Sequence, residues 1–160
     1  MQKTLAGINL VLAFLATLPL AAHVLELPAK LSLDGAMWLE VQQRLYRGWG
    51  PIFGPVEMAA LATTAWLYFI SPVPRRAYLV AGVCFALMLV CFFVFNDPVN
   101  KAVIGWTVST LPADWTDYRA RWETGHALAA ALSMIAFFVL AAARVRASSG
   151  SNPAEPKAVA

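Results

Sequence analysis

The sequence predicts an all-α protein, an integral membrane four-helix bundle with a short interfacial helix between its first and second helices. Three observations carry that expectation. Of the 160 residues, 60% are hydrophobic and only 13% are charged, about half the charged share of an average soluble domain. The charges leave four long apolar stretches, Leu5–Leu25, Ile52–Ile70, Ala77–Phe95 and Gly125–Ala143. Each is close to the ~20 residues that a helix rising ~1.5 Å per residue needs to cross ~30 Å of hydrocarbon. What remains is too short for a second domain. Residues 1–146 therefore read as one membrane domain with helices at about 5–25, 52–70, 77–95 and 115–144, and 147–160 as a disordered cytoplasmic tail.

The first helix opens with Lys3 and an apolar run that continues to Leu27. That run is longer than the apolar core of a signal peptide, and no clean small-x-small cleavage site succeeds it. Pro19 frees a backbone carbonyl within it and predicts a kink. Asp34 then supplies a helix cap, after which Trp38, Val41, Leu45 and Trp49 share one face while Glu40, Gln43, Arg44 and Arg47 lie mostly elsewhere. This pattern predicts the interfacial helix, lying on the outer surface with its tryptophans at headgroup level. Gly48, Gly50, Pro51, Gly54 and Pro55 predict a break before the second helix.

The run Ser71-Pro72-Val73-Pro74-Arg75-Arg76 predicts a tight turn, making the second and third helices antiparallel neighbours. The third is expected to end near Asn96, with Asp97 capping a new short helix and Pro98 at its first position. Asp114 is placed to cap the fourth helix, expected from Trp115 to Arg144. Trp106, Trp115, Tyr118 and Trp122 fit an aromatic belt. Cys84 and Cys91 lie seven apart on the third helix; that spacing separates their α-carbons by about 10 Å, too far for a disulfide within the helix.

The formal net charge of +3 gives no reason to expect a nucleic-acid partner. Basic residues divide evenly between the two sides of the bundle, so density decides the orientation. Arg75–Arg76 and Arg144–Arg146 abut helix ends in very short segments, where the positive-inside rule has its force. Both termini are thus expected in the cytoplasm, and the chain in a bacterial inner membrane. The expected partners are the lipid bilayer and a lipophilic small molecule, with oligomerisation left open.

Ionisable and amide side chains gather at one depth. The first helix offers His23 and Glu26 in its last outer turn, the second Glu57 in its first turns, and the third Asn96 and, just beyond, Asn100. The fourth presents Arg119, Glu123 and His126 on one face. His23-x-x-Glu26 and Glu123-x-x-His126 run on antiparallel helices, so both place glutamate outermost and histidine one turn deeper. With Glu57 the set resembles a carboxylate-bridged metal site in a helical bundle, with imidazole and carboxylate suited to iron or copper. Glu26 is the weakest member. The plainer reading is that these groups solvate helix ends, with Arg119–Glu123 an i,i+4 ion pair. His126, deep beside an apolar run, resists that reading most.

The segment Phe95-Asn96-Asp97-Pro98-Val99-Asn100 and the later Trp115-x-x-x-Arg119-x-x-Trp122-x-x-x-His126 resemble the anthrone-oxygenase-like family of small four-helix membrane proteins. The resemblance spans most of the chain, from the first helix to Arg144. It implies an oxygenase acting on polycyclic phenolic substrates, and on matching positions it points to Asn96, Asn100, Arg119, Trp122 and His126. Two schemes fit. A metal held by His23, His126 and glutamates binds oxygen, or, with no cofactor at all, His126 deprotonates a carbon acid whose enolate oxygen is stabilised by Arg119 and Asn100. Two other classes stand beside these: a haem electron carrier with His23 and His126 as axial ligands, and a non-catalytic structural or partner subunit.

Overall fold

The computed structural model describes residues 1–71 and 75–149, and all regular structure among them is helical. The turn expected at Pro72–Pro74 and the tail from 150 onward lie outside the described residues. Helix α1 spans Gln2–Leu31, six residues beyond the expected Leu25. Lys30 thus stands in its last turn rather than in a loop, where a cation suits the helix C-terminus.

Asp34 accepts the N–H of Met37 at 2.9 Å and starts α2, Gly35–Glu40. The short interfacial helix expected here does not stand apart from the second span. The chain passes through a π-helical turn, Val41–Leu45, and a 3-10 turn, Tyr46–Gly48, directly into α3, Trp49–Ile70. The anticipated break is absent because Gly48 adopts helical angles and Pro51 falls in the first turn of α3, where no N–H is needed. Of the expected face, Trp38 is buried with Val41 and Trp49 packed against the same cluster, and Leu45 departs from it. A π turn inserts one residue into the helical repeat and rotates everything after it. Trp38, Leu39, Gln42 and Tyr46 are buried, and Leu45 is 54% exposed.

Helix α4, Arg75–Cys91, likewise continues through a π turn, Phe92–Asn96, into α5, Asp97–Ile104. Asp97 is not the cap expected of it. Its backbone is already helical, and its carboxylate pairs with Lys101 one turn on, at 2.6 Å. A 3-10 turn, Val108–Thr110, leads to α6, Trp115–Ser149. Residues 147–149 are therefore helical, against the expectation of a disordered tail from 147.

The four long helical runs, Gln2–Leu31, Gly35–Ile70, Arg75–Ile104 and Trp115–Ser149, are long and apolar enough to cross a membrane. They close a ring in chain order: α1 packs on α3, α3 on α4, α4 on α6, and α6 back on α1. Along the ring axis the contacts are made by small side chains. Ala13, Ala16, Ala60, Ala81, Ala129, Ala130 and Ala136 are almost wholly buried, which lets backbones approach closely where lipid gives helices no hydrophobic reason to associate. Leu67, Phe85, Met88 and Leu140 are buried among them, but many large apolar residues point outward: Phe14, Trp66, Phe69, Leu87, Phe93, Ile135 and Phe138 are each about half exposed or more. A soluble protein would bury such side chains; facing hydrocarbon, they belong outside. Cys84 is buried, Cys91 half-buried, and both are free thiols.

A second apolar cluster closes the end remote from the termini. Trp38, Leu39, Tyr46, Val99, Val103 and Trp122 form its buried centre, tying α2 and α5 across the mouth of the bundle. Gln43 fixes this lid. Its Nε2 donates to the carbonyl of Val103, in the last turn of α5, and to that of Trp106, just past it, at 2.8 and 2.9 Å.

Candidate functional site

Beneath that lid is a cavity of about 530 Å³, within the size range of small-molecule sites. Its floor and one flank are apolar, with Leu20, Phe53, Met88, Leu89 and Phe92 among the lining residues; His23, Gln42, Glu57, Asn96, Asn100 and His126 bring polar groups to it. Both π turns contribute to this wall, Gln42 and Gln43 from one and Phe92, Phe93 and Asn96 from the other. A π turn redirects side chains that a regular helix would aim elsewhere, and such turns recur at functional sites.

His126 is the best-anchored member. Its Nδ1 lies 2.9 Å from the Trp122 carbonyl one turn back and also meets Nδ2 of Asn96, which itself donates to that carbonyl at 2.9 Å. Two hydrogen-bond patterns satisfy this triangle. Either the Asn96 amide donates to Nδ1 and the ring proton sits on Nε2, or Nδ1–H donates to the carbonyl and Nε2 keeps its lone pair. In both, Nδ1 is engaged, and no hydrogen bond among the described residues reaches Nε2. Gly125 makes this possible, because a β-carbon there would collide with Asn96 and with Cβ of Phe95.

Trp122 holds the next position. Its Nε1–H donates to Oδ1 of Asn100 at 2.9 Å, and its ring centre is 3.9 Å from that of His126. His23, from α1, faces His126 edge-on with ring centres 4.1 Å apart, and is boxed by the rings of Tyr46, Trp49 and Trp122 at 4.6, 5.1 and 4.8 Å. His23 Nδ1 is buried without a hydrogen-bond partner, the Glu26 carboxylate being 3.9 Å away. Glu57 lines the cavity with no ion pair or hydrogen bond among the described residues.

The remaining expected site residues lie elsewhere. Glu123 is not turned to the cavity. Its Oε2 takes the ammonium of Lys30 at 2.7 Å in a pair with both side chains more than nine-tenths buried, and the Lys30 ammonium lies 5.0 Å from the Trp122 ring centre. Arg119 neither pairs with Glu123 nor reaches the cavity. Its guanidinium donates to the carbonyls of Lys30 and Leu33 and stacks on Trp115 at 4.7 Å, so it seals the C-terminus of α1. Glu26 accepts the phenolic hydrogen of Tyr46. The lone arginine among the cavity-lining residues is Arg47.

Sequence reasoning missed Lys30, Gln42, Tyr46 and Arg47. Lys30 carried a signal, since it falls four residues after Glu26 on a helix with no other reason to contain a base. The other three carried none, because their facing depends on the π turn.

The residues present do not fit either cofactor expected from the sequence. Among the described residues no three His, Cys, Asp or Glu side chains gather where a metal ion could be held, since Glu123 is engaged by Lys30 and Glu26 by Tyr46. Two imidazoles ligating one haem iron from opposite faces would hold their ring centres about 6 Å apart, with bonds near 2 Å on each side. At 4.1 Å the rings touch.

Fold and site together define a four-helix bundle with the dimensions and apolar surface of a membrane protein, enclosing a polar-walled cavity near one end. No protein-family model, curated protein or solved structure matched the chain when compared with it.

Proposed function

We propose that the chain is a membrane-embedded, oxygenase-like oxidoreductase acting on a lipophilic, polycyclic phenolic substrate, with His126 as its base. The supporting observation is the setting of His126: anchored through Nδ1, unpartnered at Nε2 among the described residues, and set in the wall of a largely apolar cavity. Anchoring one ring nitrogen so that the other works is how an imidazole is made an efficient base.

In this reading His126 carries its ring proton on Nδ1, a carbon acid conjugated with a ring carbonyl loses its proton to the lone pair of Nε2, and the electron pair moves onto that carbonyl oxygen as an enolate. Asn100 and Arg47 are the donors offered to that oxygen, Arg47 taking the place first expected of Arg119. Dioxygen then accepts electrons from the carbanion as a C–O bond forms. His126 returns the proton to the peroxide, which loses water to leave a carbonyl. One CH₂ group and one O₂ become one C=O and one water. An apolar substrate enters from the lipid, which accounts for a polar wall at membrane depth.

The test is oxygen uptake by protein reconstituted in lipid nanodiscs and supplied with anthrone. One O₂ consumed per quinone formed is expected, and His126→Gln lowers the rate at least about a hundredfold. Wild-type protein that does not accelerate oxidation of anthrone or related fused-ring phenols ends the proposal. The same reading places the chain in a bacterial inner membrane with both termini cytoplasmic and the cavity towards the outer side. Ser71 is buried against Gln2, so the informative labelling sites are Arg76 and Ser109, both exposed. In a background lacking Cys84 and Cys91, Ser109→Cys labels from outside intact cells and Arg76→Cys does not; the reverse pattern inverts the topology.

A further inference from the structure

A carboxyl group set within a membrane bundle is costly to insert and needs a partner to offset that cost. Three glutamates stand at the cavity end of this one. Glu26 has the Tyr46 hydroxyl, and Glu123 has the Lys30 ammonium. Glu57, in the third turn of α3, has neither an ion pair nor a hydrogen bond among the described residues, and it alone of the three lines the cavity. It is half-buried, and neither of its carboxylate oxygens is sealed from the space beside it. That space is left open by its own helix. A helical side chain leans over the turn before it, and in that turn stands Gly54, where an added β-carbon would meet nothing within 4 Å. Glycine inside a helix is unfavourable, and here no close-packed neighbour requires it.

We propose that Glu57 selects a phenolic hydroxyl, its carboxylate accepting the O–H of a ring hydroxyl while the carbon to be oxidised faces His126. This rests on the cavity being the substrate site of the proposed oxidoreductase. Helices α3 and α6 occupy opposite corners of the ring, so Glu57 and His126 meet a flat ligand at different edges. Its chemistry singles Glu57 out. It is the sole acid among the lining residues, and an ionised carboxylate only accepts hydrogen bonds. The amides of Gln42, Asn96 and Asn100 both donate and accept, and Arg47 only donates. An amide therefore tolerates a hydroxyl, a carbonyl or an ether oxygen alike. The carboxylate takes the hydroxyl and repels the other two, which bring lone pairs and no proton. A hydrogen bond to a charged acceptor is also the stronger kind.

The experiment compares two ligands that differ by one methyl group, 2-hydroxyanthraquinone and 2-methoxyanthraquinone, below the pKa of the phenol. At that ring position the hydroxyl cannot bond internally to a ring carbonyl. Both are bound to wild-type protein and to Glu57→Gln and Glu57→Met variants in nanodiscs. Quenching of tryptophan fluorescence reports binding without turnover, since Trp49, Trp106 and Trp122 line the cavity. Wild-type protein favours the phenol over its methyl ether about tenfold or more, the worth of one hydrogen bond to a charged acceptor. Each variant cuts that ratio below about threefold and holds the ether within about twofold. Glutamine has the shape of glutamate, so a preference set by size alone would survive in Glu57→Gln. A wild-type ratio near one, an unchanged ratio in either variant, or equal weakening of both ligands overturns the inference. His126→Gln should keep the preference while losing turnover. Protein that shows the preference but never consumes oxygen retains this inference and discards the proposed activity. Protein that oxidises anthrone yet binds phenol and ether alike does the reverse.

Discussion

Two polar clusters sit inside this bundle, one in each half, and they differ in how completely their hydrogen bonds are met. In the half nearer the termini, Asn9 of α1 donates through Nδ2 to the Ala60 carbonyl and to the hydroxyls of Thr63 and Thr64 on α3. Those hydroxyls bond back to carbonyls of their own helix. Asn9 is 1% exposed, Thr64 is fully buried, and small alanines pack close by. In the other half, His23, His126, Gln42 and Glu57 surround a cavity with donors and acceptors left over. The lesson is that polarity in a membrane bundle does not by itself mark function. A satisfied cluster staples two helices; an unsatisfied one beside a cavity is where a ligand's oxygen has something to gain.

The largest expected effect breaks the cavity cluster at His126. His126→Gln keeps a polar side chain of similar size but removes the base, so anthrone oxidation falls by about two to four orders of magnitude. The thermal midpoint in detergent stays close to that of the wild type. A comparable loss of stability would recast His126 as a staple like Asn9.

Lys30–Glu123 tests the boundary between the two kinds of cluster, being paired through Oε2 of the carboxylate, with Oε1 left without a partner, and adjacent to the cavity. Lys30→Met alone leaves a buried carboxylate unpaired and costs about 3–5 kcal/mol, read as a lowered unfolding midpoint. The double variant Lys30→Met with Glu123→Leu recovers most of that loss. If the single variant is harmless, the pair contributes little to the fold.

Gly125→Ala probes how Asn96 is held. The added methyl must displace Asn96 or Phe95, at a cost of about 1–3 kcal/mol in packing, and it loosens the hold on His126 Nδ1. Turnover should drop about tenfold. Asn9→Leu gives the smallest effect and sharpens the contrast most. It costs about 0.6–1.7 kcal/mol, the range for hydrogen bonds between membrane helices, and leaves oxygen uptake at the wild-type rate. A fall in activity beyond that of a mildly destabilised protein would mean the two clusters communicate.

Composition alone was enough for the four helices. Their apolar runs are long, charges are confined to their ends, and nothing but a helix or a closed barrel satisfies the backbone in hydrocarbon. Depth was legible too, because position along a spanning helix is simply sequence distance; of His23, Glu26, Glu57, Asn96, Asn100, Arg119, Glu123 and His126, all expected at one level, His23, Glu57, Asn96, Asn100 and His126 line one cavity. Facing was not legible. The π turns at Val41–Leu45 and Phe92–Asn96 each slip the helical repeat by one residue, so periodicity read from Trp38 put Leu45 on the same face as Trp38 and left Gln42 unnoticed. Pairing across helices was equally hidden. Glu123 and Arg119 look like one ion pair in the sequence, yet Lys30 takes the first and the end of α1 takes the second, because partners on different helices are chosen by rotation and tilt. Those are properties of packing, which the order of residues along any one helix does not contain.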